Sequence, residues 1–170
     1  MLKAVLACVS IIVPATAVLA EESFDIDGAV SRPGVWTAAR LEDEMAGEWR
    51  SITVPLKGES RSWKCVPLLA LLRRAEPKFD SATKHAELAF AVVVRGHDGY
   101  TVCFSWAELE LAEERSPIWL AVEVDGQPLV ENEAPARLIV PGAPHPNRWI
   151  FGIESITVVD GRAAVANSSP

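Results

Sequence analysis

Cysteine is scarce in this chain, with only Cys8, Cys65 and Cys103. None belongs to a Cys-x-x-Cys motif, and no His/Cys cluster carries zinc spacing, which argues against a structural metal. A Gly-x-Ser-x-Gly elbow, a phosphate-binding glycine loop and a paired Ser/His/Asp spacing are also missing, so the usual hydrolase and nucleotide-binding signatures are absent. Positive charge is outnumbered: 16 Lys and Arg face 23 Asp and Glu, a net of −7. That balance argues against nucleic acid or an anionic membrane as the main partner. There are no internal repeats and no low-complexity linker, so the sequence gives no sign of a second domain.

The one long apolar run is N-terminal. Met1-Leu2-Lys3 gives a short positive start, Ala4 to Val13 an apolar stretch, and Val18-Leu19-Ala20 before Glu21-Glu22 a signal-peptidase pattern. Pro14 and the two acids disfavour a retained membrane helix. Residues 1–20 therefore read as a cleaved leader, and the expected location is a bacterial periplasm, with no membrane contact after cleavage. Losing Lys3 from the 16 basic residues leaves 15 against 23 acidic, a mature net of −8. About 150 residues remain, enough for one domain with its own core.

The stretch Ala89 to Glu110 organises that domain. Ala89 to Val94 is mostly small and β-branched, Arg95-Gly96-His97-Asp98-Gly99 is turn chemistry, and Tyr100 to Trp106 is a return strand. The hairpin tip carries Arg95, His97, Asp98 and Tyr100, all able to bind an anion or a polar ligand. Before it, Phe24 to Val30 and Ser51 to Leu56 read as strands, Thr37 caps a helix with Leu41 and Met45 four apart, and Lys57 to Lys64 reads as a polar loop. Pro67 suits the first turn of a leucine-rich helix ending at Arg73-Arg74. After the hairpin, Ser105 and Glu108 form a capping-box pattern for a helix over Trp106 to Glu113. Ile118 to Val124, Ala136 to Val140 and Trp149 to Val159 supply further strands, with Asp125-Gly126 as a tight turn. Acid runs at Glu42-Asp43-Glu44 and Glu113-Glu114 read as solvated helix faces, and the six tryptophans as core and rim. Seven or more short strands with about three short helices, not alternating, make a mainly β, mixed-sheet α+β domain. Residues 21–161 form it, and 162–170 are expected as a flexible tail.

Several separated motifs stand in a familiar order: Asp27-Gly28-Ala29-Val30-x-x-Pro33, Trp63-x-x-Val66-Pro67-Leu68-x-x-Leu71-Leu72 and Asp98-Gly99-Tyr100. Val124-x-Gly126-x-Pro128-Leu129, Ala136-Arg137-Leu138-Ile139-Val140-Pro141-Gly142 and Arg148-Trp149-Ile150-x-x-Ile153 complete the order. Together they resemble the molybdopterin-binding domain of the sulfite oxidase superfamily, in a small exported single-domain form. The resemblance implies a mixed, mainly β fold around a molybdopterin, whose molybdenum is held partly by a cysteine thiolate. In that pattern the thiolate lies about ten residues before the Trp-x-Gly-Val-Pro-Leu segment. Here Ser51 to Ser62 contains no cysteine, and Cys65 stands where the family usually has Gly.

A pterin cofactor carries phosphate, so the resemblance also implies fixed cationic donors. The cationic candidates are Arg61 in the first basic loop, Arg95 and His97 at the hairpin tip, and Arg137, His145 and Arg148 around the proline-stiffened Pro141 to Arg148 loop; Asp98 and Tyr100 at the hairpin tip join them as polar cofactor-binding candidates. Cys65, placed before a helix start near Lys64 and Arg61, is either a displaced ligand or reactive thiol of lowered pKa, or a small buried residue or disulfide half with Cys103. Two functions of different class follow. One is a periplasmic molybdopterin-type oxidoreductase lacking its expected metal ligand. The other is a cofactor-free binding or sensory module that uses the same cationic pocket for a small anion or a periplasmic protein partner.

Overall fold

The computed structural model describes residues 22–56, 58–142 and 146–166. The expected leader therefore lies outside the described residues. Strands β1 (Ser23–Gly28), β2 (Gly34–Thr37), β5 (Phe90–Gly96), β6 (Thr101–Ser105) and β10 (Ile153–Asp160) form one sheet in the order β2-β1-β10-β5-β6. β1 and β10 run parallel, and the other neighbours are antiparallel. The second sheet is wholly antiparallel: β3 (Arg50–Leu56), β4 (Glu59–Pro67), β7 (Trp119–Val124) and β8 (Gln127–Pro128) in order, with β9 (Arg137–Ile139) also on β7. The first, mixed sheet and the short helices α1 (Ala38–Glu44), α2 (Leu68–Arg74), α3 (Trp106–Arg115) and α4 (Gly161–Ala166) make the α+β class expected from the sequence.

Period-two burial explains why these segments are strands. In β6, Val102 and Phe104 are buried while Thr101, Cys103 and Ser105 face outward. In β5, Phe90, Val92 and Val94 are buried and the intervening Ala91 and Val93 are half-covered, as suits an interior strand. Side chains of both sheets join one apolar cluster, into which α1 sends Leu41, α2 sends Leu68, Leu69, Leu71 and Leu72, and α3 sends Trp106 and Leu109. The helix starts follow capping chemistry: the Thr37 hydroxyl accepts from the Arg40 N–H at 3.1 Å, and the Ser105 hydroxyl accepts from the Glu108 N–H at 3.1 Å. Among the described residues no helix is long and apolar enough to cross a membrane.

Two local expectations are corrected. The segment Lys57 to Lys64 is no loop: from Glu59 onward it is the outer half of β4, paired with β3 from Leu56↔Glu59 to Arg50↔Cys65. Its polar side chains mislead because this end of the strand is exposed, whereas the far end, Trp63 to Val66, is mostly buried. Pro67 is the cap before α2 and closes β4, not a residue of the first helical turn. At the C-terminal end, Gly161 to Ala166 form α4, where Arg162 bonds Asp160 at 2.9 and 3.0 Å and lies over the Phe90 ring; residues 167–170 of the expected tail lie outside the described residues.

Candidate functional site

The two sheets meet where the chain between β8 and β10 crosses from one to the other. Leu138 of β9 exchanges backbone hydrogen bonds with Ile150, the Ile153 N–H donates to the Ala136 carbonyl, and the Gly152 N–H donates to the Glu133 carbonyl. The His97 N–H at the hairpin tip donates to the Gly152 carbonyl at 2.9 Å. Gly152 has φ +51, and a Cβ there would lie 3.0 Å from the Asn132 carbonyl oxygen and from the His97 ring. Glycine is thus required where the hairpin, the 130–134 turn and the approach to β10 come together.

Beside this junction lies a cavity of about 460 Å³, within the range of small-molecule sites. β4 contributes Glu59, Arg61 and Trp63, β7 Val124, the following turn Val130 and Glu133, β9 Arg137, and the last crossing Pro146, Trp149 and Phe151. Alternation along β4 puts Arg61 and Trp63 on one face. Trp63 and Trp149 meet edge to face, 6.2 Å between centroids.

Arg137 is the electrostatic centre of this wall. Only 3% exposed, it donates to a Glu133 carboxylate oxygen at 2.9 Å, and its guanidinium lies 3.9 Å from the Phe151 ring centroid, 4.9 Å from Trp63 and 5.4 Å from Trp149. Burial lowers its pKa, Glu133 opposes that, and the nearby Arg61 charge adds to the lowering. Arg61 is held more loosely: it reaches Glu59 at 3.3 Å and Asp125 at 3.4 Å and is partly exposed. Among the described residues three buried side-chain nitrogens have no hydrogen-bond partner, and two of them, Arg137 Nε and Trp63 Nε1, belong to side chains of this cavity wall but are themselves sealed from it.

The sequence candidates are thus divided among different places. Arg61 and Arg137 share the cavity. His97 and Asp98 line an adjoining open cleft with Glu131 and Asn132, which borrows Val130 and Phe151 from the cavity rim. Arg95 points elsewhere, 3.1 Å from Glu154. Tyr100 is half exposed, and its hydroxyl donates to the Asn147 carbonyl at 2.6 Å, holding the hairpin to the 146–148 turn. Arg148 is engaged by Glu108 at 2.5 Å, by the Cys103 carbonyl at 3.0 Å and by the Phe104 ring at 4.1 Å. Glu108 consequently completes only half of the expected capping box, its carboxylate serving Arg148. His145 lies outside the described residues.

Of the two expectations for Cys65, the small buried residue holds and the reactive thiol does not. Cys65 sits within β4, fully buried, its thiol against the Arg50 carbonyl at 3.6 Å. Burial pushes that thiol up to about 12, the opposite of the lowering expected from Lys64 and Arg61. Lys64 is instead occupied by Glu42 and Glu123, both at 2.7 Å. Cys103 is exposed on the other sheet, and both thiols are free.

The family model of the oxidoreductase molybdopterin binding domain matches residues 12–164. This chain belongs to that family. The solved structure of the sulfane dehydrogenase SoxCD from Paracoccus pantotrophus shares the fold of this molybdopterin-binding-type domain, with a TM-score of 0.60 and 21% identity. The likeness covers 82% of this chain but only 38% of that chain, and it speaks for the fold alone. No curated protein sequence matches. The donors lining the cavity are guanidiniums, carboxylates and aromatic rings, and neither Cys65 nor Cys103 is among them. Those donors do not fit a thiolate-held molybdenum, a soft-ligand centre.

Sequence reading missed Glu59, Glu133, Trp63, Trp149 and Phe151 as cavity residues. One signal was available: Arg137 is embedded in an apolar run, and a buried guanidinium requires a counter-charge, here Glu133 four residues earlier.

Proposed function

We propose that this domain is an exported binding or sensory module that retains the molybdopterin-binding fold and works without molybdenum. The observation that carries the reading is the position of the thiols: Cys65 is sealed inside β4 and Cys103 faces outward from β6, while the cavity presents Arg61 and Arg137. A cavity walled by rings, with two guanidiniums each matched by a carboxylate, binds and orients a small amphipathic molecule but offers no soft anchor for a redox metal. The leader pattern at residues 1–20 supports delivery to the periplasm, where the ligand or a protein partner would be met. Purification from a molybdenum-replete host, followed by metal analysis and pterin fluorescence, tests the reading. Protein lacking stoichiometric molybdenum is expected. One molybdenum per chain, lost on Cys65→Ser, would overturn it.

A further inference from the structure

Two depressions share one apolar edge. The cavity beside Arg137 and the open cleft at the hairpin tip, about 870 Å³, are both lined by Val130 and Phe151. These side chains are 62% and 45% exposed, two of the six large apolar residues left in solvent among the described residues. An exposed apolar pair rimmed by polar groups marks a contact surface, because a lone domain gains nothing by leaving it in water. The shape is fixed before anything binds. The His97 N–H donates to the Gly152 carbonyl at 2.9 Å and the Gly152 N–H to the Glu133 carbonyl at 3.1 Å. The Glu133 N–H in turn donates to the Val130 carbonyl at 2.8 Å, so hairpin, turn and Phe151 are held together and little ordering remains to be done on binding.

Charge decides what fits this surface. Glu59 and Glu133 line the cavity, Asp125 lies 3.4 Å from Arg61, and Asp98 and Glu131 line the cleft. Five carboxylates thus face two guanidiniums, Arg61 and Arg137, a formal net of −3 with His97 neutral. The surplus sits at the cleft. Glu59 and Glu133 have guanidinium partners and Arg95 is taken by Glu154, whereas among the described residues neither Asp98 nor Glu131 enters an ion pair. Cations are therefore drawn to the cleft while the shared edge asks for an apolar group. Cavity and cleft together run past the ~300–1,000 Å³ of small-molecule sites, so a stretch of chain fills them better than a single amine does. Resting on the binding-module reading above, we infer that this surface docks an extended segment of a partner protein in which an apolar side chain stands between lysines or arginines. The apolar side chain packs on Phe151 and Val130 at the cavity mouth, and the flanking cations meet Asp98 and Glu131.

Fluorescence anisotropy of the purified protein with a labelled, end-blocked pentapeptide Ala-Lys-Phe-Lys-Ala tests this directly. Saturable binding is expected below about 1 mM, at least about tenfold tighter than with glutamates for the lysines or alanine for the phenylalanine. Glu131→Lys should weaken the lysine peptide about fivefold, and Val130→Ser about threefold. Both residues are exposed, and thermal melting read in parallel confirms that the fold is kept. Asp98→Asn, which can still accept the Tyr100 N–H at 2.8 Å, should weaken the peptide about threefold. Equal binding of the lysine and glutamate peptides, no saturation at about 1 mM, or variants that bind as the parent does overturn the inference. Phenethylamine binding as tightly as the peptide would overturn it in favour of a small amine. A dimer in sedimentation that Glu131→Lys dissolves would overturn it in favour of a second copy of this chain. Failure of the peptide in molybdenum-free protein leaves the metal-free reading standing, whereas stoichiometric molybdenum removes both.

Discussion

Glu133→Gln isolates what the Arg137 charge requires. The substitution keeps the volume and the hydrogen-bond reach of the side chain but removes the negative charge 2.9 Å from a guanidinium that is 3% exposed. The ring contacts at 3.9, 4.9 and 5.4 Å remain, so the aromatic share of the stabilisation is unchanged. Breaking a buried pair from one side costs about 3–5 kcal/mol, and the lower end applies here because the Glu133 side chain is 18% exposed and the cavity admits some water. With a urea slope of about 2 kcal/mol/M, a loss of about 3 kcal/mol moves the unfolding midpoint down by about 1.5 M. Arg137→Met leaves only a carboxylate that water already reaches, and should cost about 1 kcal/mol. The double substitution should return to within about 1 kcal/mol of the parent, giving a coupling of about 3 kcal/mol or more. A Glu133→Gln protein unfolding within about 0.5 kcal/mol of the parent would refute the claim that this pair is energetically buried. A double variant as unstable as Glu133→Gln would show that packing on the rings stabilises Arg137 more than its charge pairing does.

Four further outcomes can be checked together. Because burial raises the Cys65 thiol to about 12 from an ordinary 9.0, the protonated form stabilises the fold below pH 9 and that stability drains away as pH rises towards 12. Relative to Cys65→Ala, the parent should lose at most about 2 kcal/mol by pH 10.5 in urea titrations, and a parallel pH dependence for both proteins contradicts this. Mass spectrometry after alkylation at pH 8 should find Cys103 labelled in the native protein and Cys65 only after unfolding. Gly28→Ala puts a Cβ 2.1 Å from the Val158 carbonyl oxygen at φ +84, so the β1–β10 pairing must shift, at a cost of about 3 kcal/mol or more by thermal denaturation. Ser105→Ala deletes the α3 cap and should cost about 1 kcal/mol without moving any cavity residue.

The parts of the fold legible in the sequence are those where local chemistry and tertiary context agree. The Asp98-Gly99 turn, with Gly99 at φ +80, joins β5 to β6, and Thr37 and Ser105 cap their helices, because each needs only its immediate neighbours. Lys57 to Lys64 failed for the converse reason. Its polarity is that of an exposed strand end, and only pairing with β3 makes it a strand. For Cys65 the alternative of a small buried residue holds, and the alternative of a reactive thiol fails, since a thiol placed before a helix among cations differs chemically from one buried in a sheet.

The cationic candidates show why spacing alone could not draw the site. Their number was sufficient for a phosphate-binding pocket, but each arginine's role depends on which acid lies beside it. Arg95 meets Glu154, Arg148 meets Glu108 and the Cys103 carbonyl on the edge strand β6, and Arg137 meets Glu133. In a chain with more acids than bases, most guanidiniums find such partners, and a paired guanidinium serves packing before it serves recognition. A recognising cation is therefore one whose partners are long or whose donors are left over. That criterion selects Arg61, with contacts of 3.3 and 3.4 Å at the cavity wall, and sets aside Arg148, held by Glu108 and the Cys103 carbonyl, although the two look alike in the sequence.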